Sequence, residues 1–133
     1  MLQPYQFEIN EAWVSVKLND APVRTDKDGL FDCIALVDAA SSFILTTQLV
    51  PVREAGLSKI EARRLLKNAS SHKKQSPKTL FIARQQSADN LVIEAERQKV
   101  TVVRVPEDQL VLLVTEAVEG FREYLSGAKH GDA

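Results

Sequence analysis

Hydrophobic and polar positions along this chain change rhythm near Ser58. Before it, three apolar runs follow one another through short polar connections; after it, helical spacing alternates with short apolar runs. Trp13 to Leu18 alternates apolar with polar residues, the pattern of a strand with one buried face. Asn19-Asp20-Ala21-Pro22 then interrupts pairing, because proline has no amide hydrogen to give. Thr25-Asp26-Lys27-Asp28-Gly29 predicts a turn, and Leu30 to Val37 a second strand, apolar on both faces toward its end and therefore central. Asp38-Ala39-Ala40-Ser41-Ser42 is short enough to make a hairpin with a third strand from Phe43 to Val50, which Pro51 ends.

Ser58-Lys59-Ile60-Glu61 matches a capping box and predicts a helix whose buried stripe is Ala62, Leu65, Leu66 and Ala69. Asn68 to Lys78, rich in serine and lysine, predicts a frayed helix end and an exposed loop. Thr79 to Ala83 is a fourth strand, suited to burial on both faces. Ser87 is placed to cap a second helix burying Ala88, Leu91, Val92 and Ala95. Val100 to Val105 is a fifth strand, and Pro106 opens a last helix with Leu110, Leu113, Val114, Ala117, Val118, Phe121 and Leu125 inside, before fraying from Gly127. The order β-β-β-α-β-α-β-α predicts an α/β fold, a mixed five-stranded sheet in which an antiparallel meander precedes parallel strands joined by helical crossovers.

The chain has 133 residues, which suits a single domain over 1–133 with its core at about 13–125 and terminal extensions at 1–12 and 126–133. Hydrophobic residues make up 44% and charged residues 26%, an ordinary globular balance that argues against disorder. The longest apolar stretch, Leu110 to Val114, is too short for a bilayer, so no membrane partner is expected. The start, Met1 to Glu8, has neither the basic opening nor the apolar core of a signal peptide, which makes the cytoplasm the expected compartment. Cys33 is the single cysteine, excluding an intrachain disulfide and a cysteine zinc cluster; it reads as a small buried hydrophobe.

The net charge of −1 conceals a segregation. Residues 1–58 hold eight acids and four bases, 59–88 one acid and eight bases, and 89–133 nine acids and five bases. Local fields select partners, so the basic island is the candidate surface. Lys59, Arg63 and Lys67 repeat every four residues on one helix face, with Arg64 alongside and Lys73 and Lys74 beyond. These six are the candidate nucleic-acid contacts. The plainer account has the last lysines complement the helix dipole and keep a loop soluble. From Lys59 to Lys78, the stretch that holds these bases, there is no Phe, Tyr or Trp on which bases could stack, so binding there is expected at phosphates and not at base edges.

The element order and Asp28 to Ile44, together with Pro77 to Ile82 and Ser87 to Ala95, resemble the ribonuclease H-like superfamily, in particular integrase and transposase catalytic domains. The same order is similar to small bacterial domains of this fold. The resemblance covers about Trp13 to Leu125 and implies a ribonuclease H-like sheet and, in active members, clustered carboxylates holding two divalent metals. It also implies an aspartate three residues after the first-strand tryptophan, where this chain has Val16, and another at the end of the fourth strand, where it has Ala83, Arg84, Gln85 and Gln86. Glu116, Glu119 and Glu123 on the last helix are the remaining acids, simplest as its wetted face.

Asp32 and Asp38 could be offered as substitute ligands, giving Asp38, Glu116 and Glu119 as an alternative metal set. Asp38, however, opens a hairpin turn, where aspartate is favoured by local hydrogen bonding. His72 and His130 lack acids or cysteines at ligand spacing and read as solvated surface, and Trp13 reads as core. Serines 41, 42, 70 and 71 fall in predicted turns without a nucleophile-elbow pattern, and no phosphate-binding glycine loop is present. The expectation is a non-catalytic module with no catalytic residue, metal or cofactor, an accessory or remnant of mobile-element machinery with weak nucleic-acid affinity. A metal-dependent nuclease or nucleotidyl transferase with rearranged carboxylates is the alternative. A subunit that meets a protein partner or a second copy through a sheet edge or the last helix is the third.

Overall fold

The computed structural model describes residues 1–25, 29–53 and 56–131, with backbone alone for Thr25 and 125–131. In chain order the strands and α-helices are β1 (Ala12–Lys17), β2 (Val23–Thr25), β3 (Gly29–Asp38), β4 (Ile44–Pro51), α1 (Lys59–Lys73), β5 (Thr79–Ala83), α2 (Asp89–Arg97), β6 (Thr101–Val105) and α3 (Val111–Gly131). All five expected strands are present, joined by a short sixth, β2, that the Pro22 interruption hides in the sequence. The turn expected over Thr25 to Gly29 falls at 26–28, outside the described residues.

One mixed sheet holds these strands. β3 pairs antiparallel with β4 along its length, from Phe31↔Pro51 to Val37↔Ile44, with a register shift at Leu36/Val37. Its other edge is shared. β1 takes the carboxyl half, Trp13↔Asp38 to Lys17↔Ile34, and β2 the amino half, Val23↔Phe31 to Thr25↔Gly29. Asn19 fills the gap between them: its side-chain oxygen accepts from the Cys33 amide at 2.7 Å, and its Nδ2 donates to the Ala21 carbonyl and to Asp32. β5 lies parallel to β1 and β6 parallel to β5, as helical crossovers require.

Helices cover both faces. Trp13, Leu36, Leu80 and Ile82 on one face pack with Ala62, Leu65, Leu66 and Ala69 of α1 and Leu91 and Ala95 of α2. Strand alternation sends Val14 and Phe81 to the other face, against Leu113 and Val114 of α3. Leu2 and Phe7 join that second cluster, and the Phe7 and Phe81 rings meet edge to face at 5.7 Å. The first twelve residues are thus not a bare extension. α1 runs on through Ser70 and Ser71 to Lys73, past the expected fraying at Asn68, and stops where Lys74 turns left-handed at φ 61°. α3 is helical to Gly131, where the sequence predicts fraying from Gly127; Ala128 and Lys129 are good helix formers. The side chain of Leu125 lies outside the described residues.

α2 is entered from Ala88 without a side-chain cap, and the Ser87 backbone instead lies against Gly56 in the loop before α1. A Cβ on Gly56, which sits at φ +69°, would come within 2.1 Å of the Ser87 carbonyl oxygen, so only glycine permits this approach. Pro106 opens a single 3₁₀ turn, Glu107–Gln109, ahead of α3.

Candidate nucleic-acid interface

α1 owes its start to Ser58 and Glu61, which satisfy each other's backbone amides. Glu61 also binds Arg53 at 2.6 Å. Burial alone would raise its carboxyl pKa, but the bonds from Arg53 and Ser58 and the Arg53 charge outweigh it and hold it below the ordinary value. Glu61 is therefore committed outward, toward Arg53. Charge compensation for the basic face comes from elsewhere: Arg63 reaches the buried Glu94 of α2 at 3.6 Å, and Arg97 reaches the same carboxylate at 3.5 Å.

Lys59, Arg63, Arg64, Lys67 and Lys74 are exposed, and Lys73 is partly buried. A shallow groove of about 420 Å³ between the carboxyl half of α1, the loop after it and the end of α2 collects Arg63, Lys67 and Lys74. Ser71 and Ser76 line it with hydroxyl donors, Ser70 forms part of its wall, and Gln98 closes it. The Ser70 hydroxyl is buried with no hydrogen-bond partner. Lys67 and Lys74 have no acid within 4 Å among the described residues. Lys59 and Arg64 do not line this groove. Cations and serine hydroxyls in one recess are donors suited to phosphate oxygens.

Lys73 faces a second cleft, about 630 Å³, between the β3–β4 hairpin, the end of α1 and α3. Here the fold supplies what the basic island lacks in sequence. Phe43, 49% exposed, stacks on His72 with ring centres 5.6 Å apart and planes 17° apart, and the Lys73 ammonium lies 5.4 Å from the Phe43 centroid. His72 is thus part of an aromatic pair and not an isolated surface side chain. Only an apolar residue at the exposed tip of a polar hairpin hinted at this in the sequence. Ser70, Ser71 and Ser76 read only as loop because α1 was expected to fray before them, and Gln98, at the end of α2, carried no signal.

The alternative metal set does not assemble. Asp38 is fully buried: its Oδ1 accepts from the Asn10 amide at 2.7 Å, and its Oδ2 from the Ser41 amide at 3.0 Å and hydroxyl at 2.7 Å. Asp32 lies six residues back along β3, about 20 Å away at strand rise, and is engaged by Asn19. Glu116 lines the second cleft, and Glu119 and Glu123 are exposed on α3. Among the described residues no three acids, histidines or cysteines form a metal-holding group. At the adjoining ends of β1 and β5, Val16 and Ala83 belong to an apolar cluster with Val105 and Val118, which offers a hard cation no oxygen. Arg84 beside it is exposed. The His130 side chain lies outside the described residues. No described helix is long and apolar enough to cross a membrane.

No family model and no curated protein matches the chain. Solved structures do. A chain of the simian T-cell lymphotropic virus intasome, solved with the PP2A regulatory subunit B56 gamma, superposes at TM-score 0.65 and 13% identity over 92% of this chain and 42% of its own length. This chain therefore spans less than half of that one. The HTLV-2 integrase catalytic core domain, solved with magnesium, gives TM-score 0.61 and 12% identity over 99% of this chain and 76% of that domain. The BIV integrase catalytic core gives 0.57 and 12% over 93% and 74%. With β1 central between antiparallel β3 and parallel β5, and helices on both faces, the chain has the ribonuclease H-like fold of retroviral integrase catalytic cores.

Proposed function

We propose that this chain is a non-catalytic ribonuclease H-like module that holds nucleic acid by its phosphates, in the manner of an accessory to mobile-element machinery. The observation that carries the proposal is the groove beside α1, where Arg63, Lys67 and Lys74 converge with three serines. The non-catalytic half rests on Val16 and Ala83, which lie in an apolar cluster where the fold's active members need carboxylates.

Binding of this kind is tested by titrating a labelled duplex at two salt concentrations. Each phosphate neutralised releases condensed counterions, so the logarithm of affinity falls with that of salt at about −0.9 per contact. The informative variant is Lys67→Glu with Lys74→Glu. Arg63 is left intact because reversing it would set two acids against each other at Glu94. The variant is expected to bind more weakly on every sequence and to flatten the slope by about 1.8. Salt-insensitive binding, or binding that the double reversal leaves unchanged, overturns the proposal. No binding of either a duplex or a single strand at low salt also overturns it and favours a protein partner or a second copy.

A further inference from the structure

We infer that the ligand of this surface is a single strand, DNA or RNA, with one base stacked on the Phe43–His72 pair while its neighbouring phosphates run over Lys73, Lys74 and Lys67. The inference rests on the phosphate-binding reading above and deepens it. Three observations carry it. First, the fold brings an aromatic ring from the hairpin to the end of a basic helix, although Phe43 and His72 are far apart in sequence. Second, the ring is half exposed, and it already forms a near-parallel stack with an exposed His72. An unpaired base can join that pair as a further ring, which a paired base inside a duplex cannot do.

Third, the charges are arranged for a strand that passes from one cleft to the other. Lys73 and Lys74 are successive residues at the end of α1, one facing the aromatic cleft and the other lining the serine groove. A backbone crossing this turn meets a cation on each side. Glu116 on the α3 wall of the aromatic cleft repels phosphate, so the backbone is held to the Lys73 side and the base points inward. Stacking uses the π-face common to all bases, so little sequence preference is expected.

The test compares oligothymidine, oligouridine and a DNA duplex of equal length against wild type, Phe43→Ala, Phe43→Leu and Phe43→Tyr, with melting curves to verify folding. Wild type is expected to favour single strands, and the two homopolymers separate DNA from RNA. Phe43→Ala and Phe43→Leu are expected to lose roughly 5- to 150-fold in single-strand affinity and nothing on the duplex. Phe43→Leu still covers the hairpin with apolar surface, so a loss there reports the missing π-face; Phe43→Tyr is expected to retain affinity. Equal binding of strand and duplex, unchanged by Phe43→Ala, or a loss that Phe43→Leu restores, overturns the stacking site and leaves phosphate binding standing. Binding that Lys67→Glu with Lys74→Glu does not weaken on any probe removes the phosphate reading, and the stacking site with it.

Discussion

Asp38 and Phe43 stand at either end of one hairpin turn and were unequally visible in the sequence. Aspartate opening a short polar turn has a local explanation, and the geometry supplies it: Ser41 donates twice to one oxygen. What no local pattern could give is the second donor, the amide of Asn10, 28 residues away, whose side chain in turn accepts from the Trp13 indole at 2.7 Å. Asn10 sits at φ 67°, a conformation asparagine tolerates better than most residues. Phe43 was hidden for the same reason, since its partners come from α1. Removing the Asp38 carboxyl strands buried donors on both sides, each costing about 1–3 kcal/mol. Asp38→Ala is therefore expected to lose about 2–4 kcal/mol, read as a lower urea midpoint at unchanged slope. A cost within about 0.5 kcal/mol would mean that the network is not what fixes the hairpin.

At the scale of elements, legibility followed how much of an element's logic was local. α1 announced its start through Ser58 and Glu61 and its buried face through the spacing of Ala62, Leu65, Leu66 and Ala69. Its end was misplaced, because serines 70 and 71 look like loop while Ala69 still packs in the core. β2 escaped because three residues next to a proline carry no period; it exists through pairing with β3. The α1 cap gives a pH test with a definite sign. Glu61 is held below its ordinary value near 4.5, so protonation disfavours the folded state. Its contribution is fully present above that value and is lost as pH falls through the lower folded value. Glu61→Gln keeps a capping amide but loses the Arg53 charge pair, a cost of up to about 1 kcal/mol at neutral pH given the exposure of Arg53. The gap between variant and wild type is expected to close in urea titrations as pH falls below 4.5; a gap constant with pH would show that the ion pair contributes nothing.

For the whole molecule, the crossover rule made the fold readable from element order, and the resemblance to integrase domains indicated where acids were expected. The converging ends of β1 and β5 are where this topology gathers side chains from distant stretches, and Val16 and Ala83 occupy them within an apolar cluster. The candidate interface forms elsewhere, from α1, the end of α2 and the hairpin, a convergence that no run of residues encodes. A cation that bound the native state alone would stabilise it by about 2.7 kcal/mol at a hundredfold excess over its dissociation constant. Magnesium or manganese at such excess is therefore expected to leave the melting temperature unchanged beyond the effect of ionic strength, matched with a monovalent salt. Neither ion is expected to support cleavage of single-stranded or duplex nucleic acid. The opposite result has a clear form: metal-dependent hydrolysis, with a metal-specific rise in melting temperature, abolished by Glu116→Gln or Glu119→Gln. Both glutamates are exposed on α3, so those variants should fold as wild type does. Such a loss would put the catalytic acids on that helix and make the chain a metal-dependent nuclease with a rearranged centre.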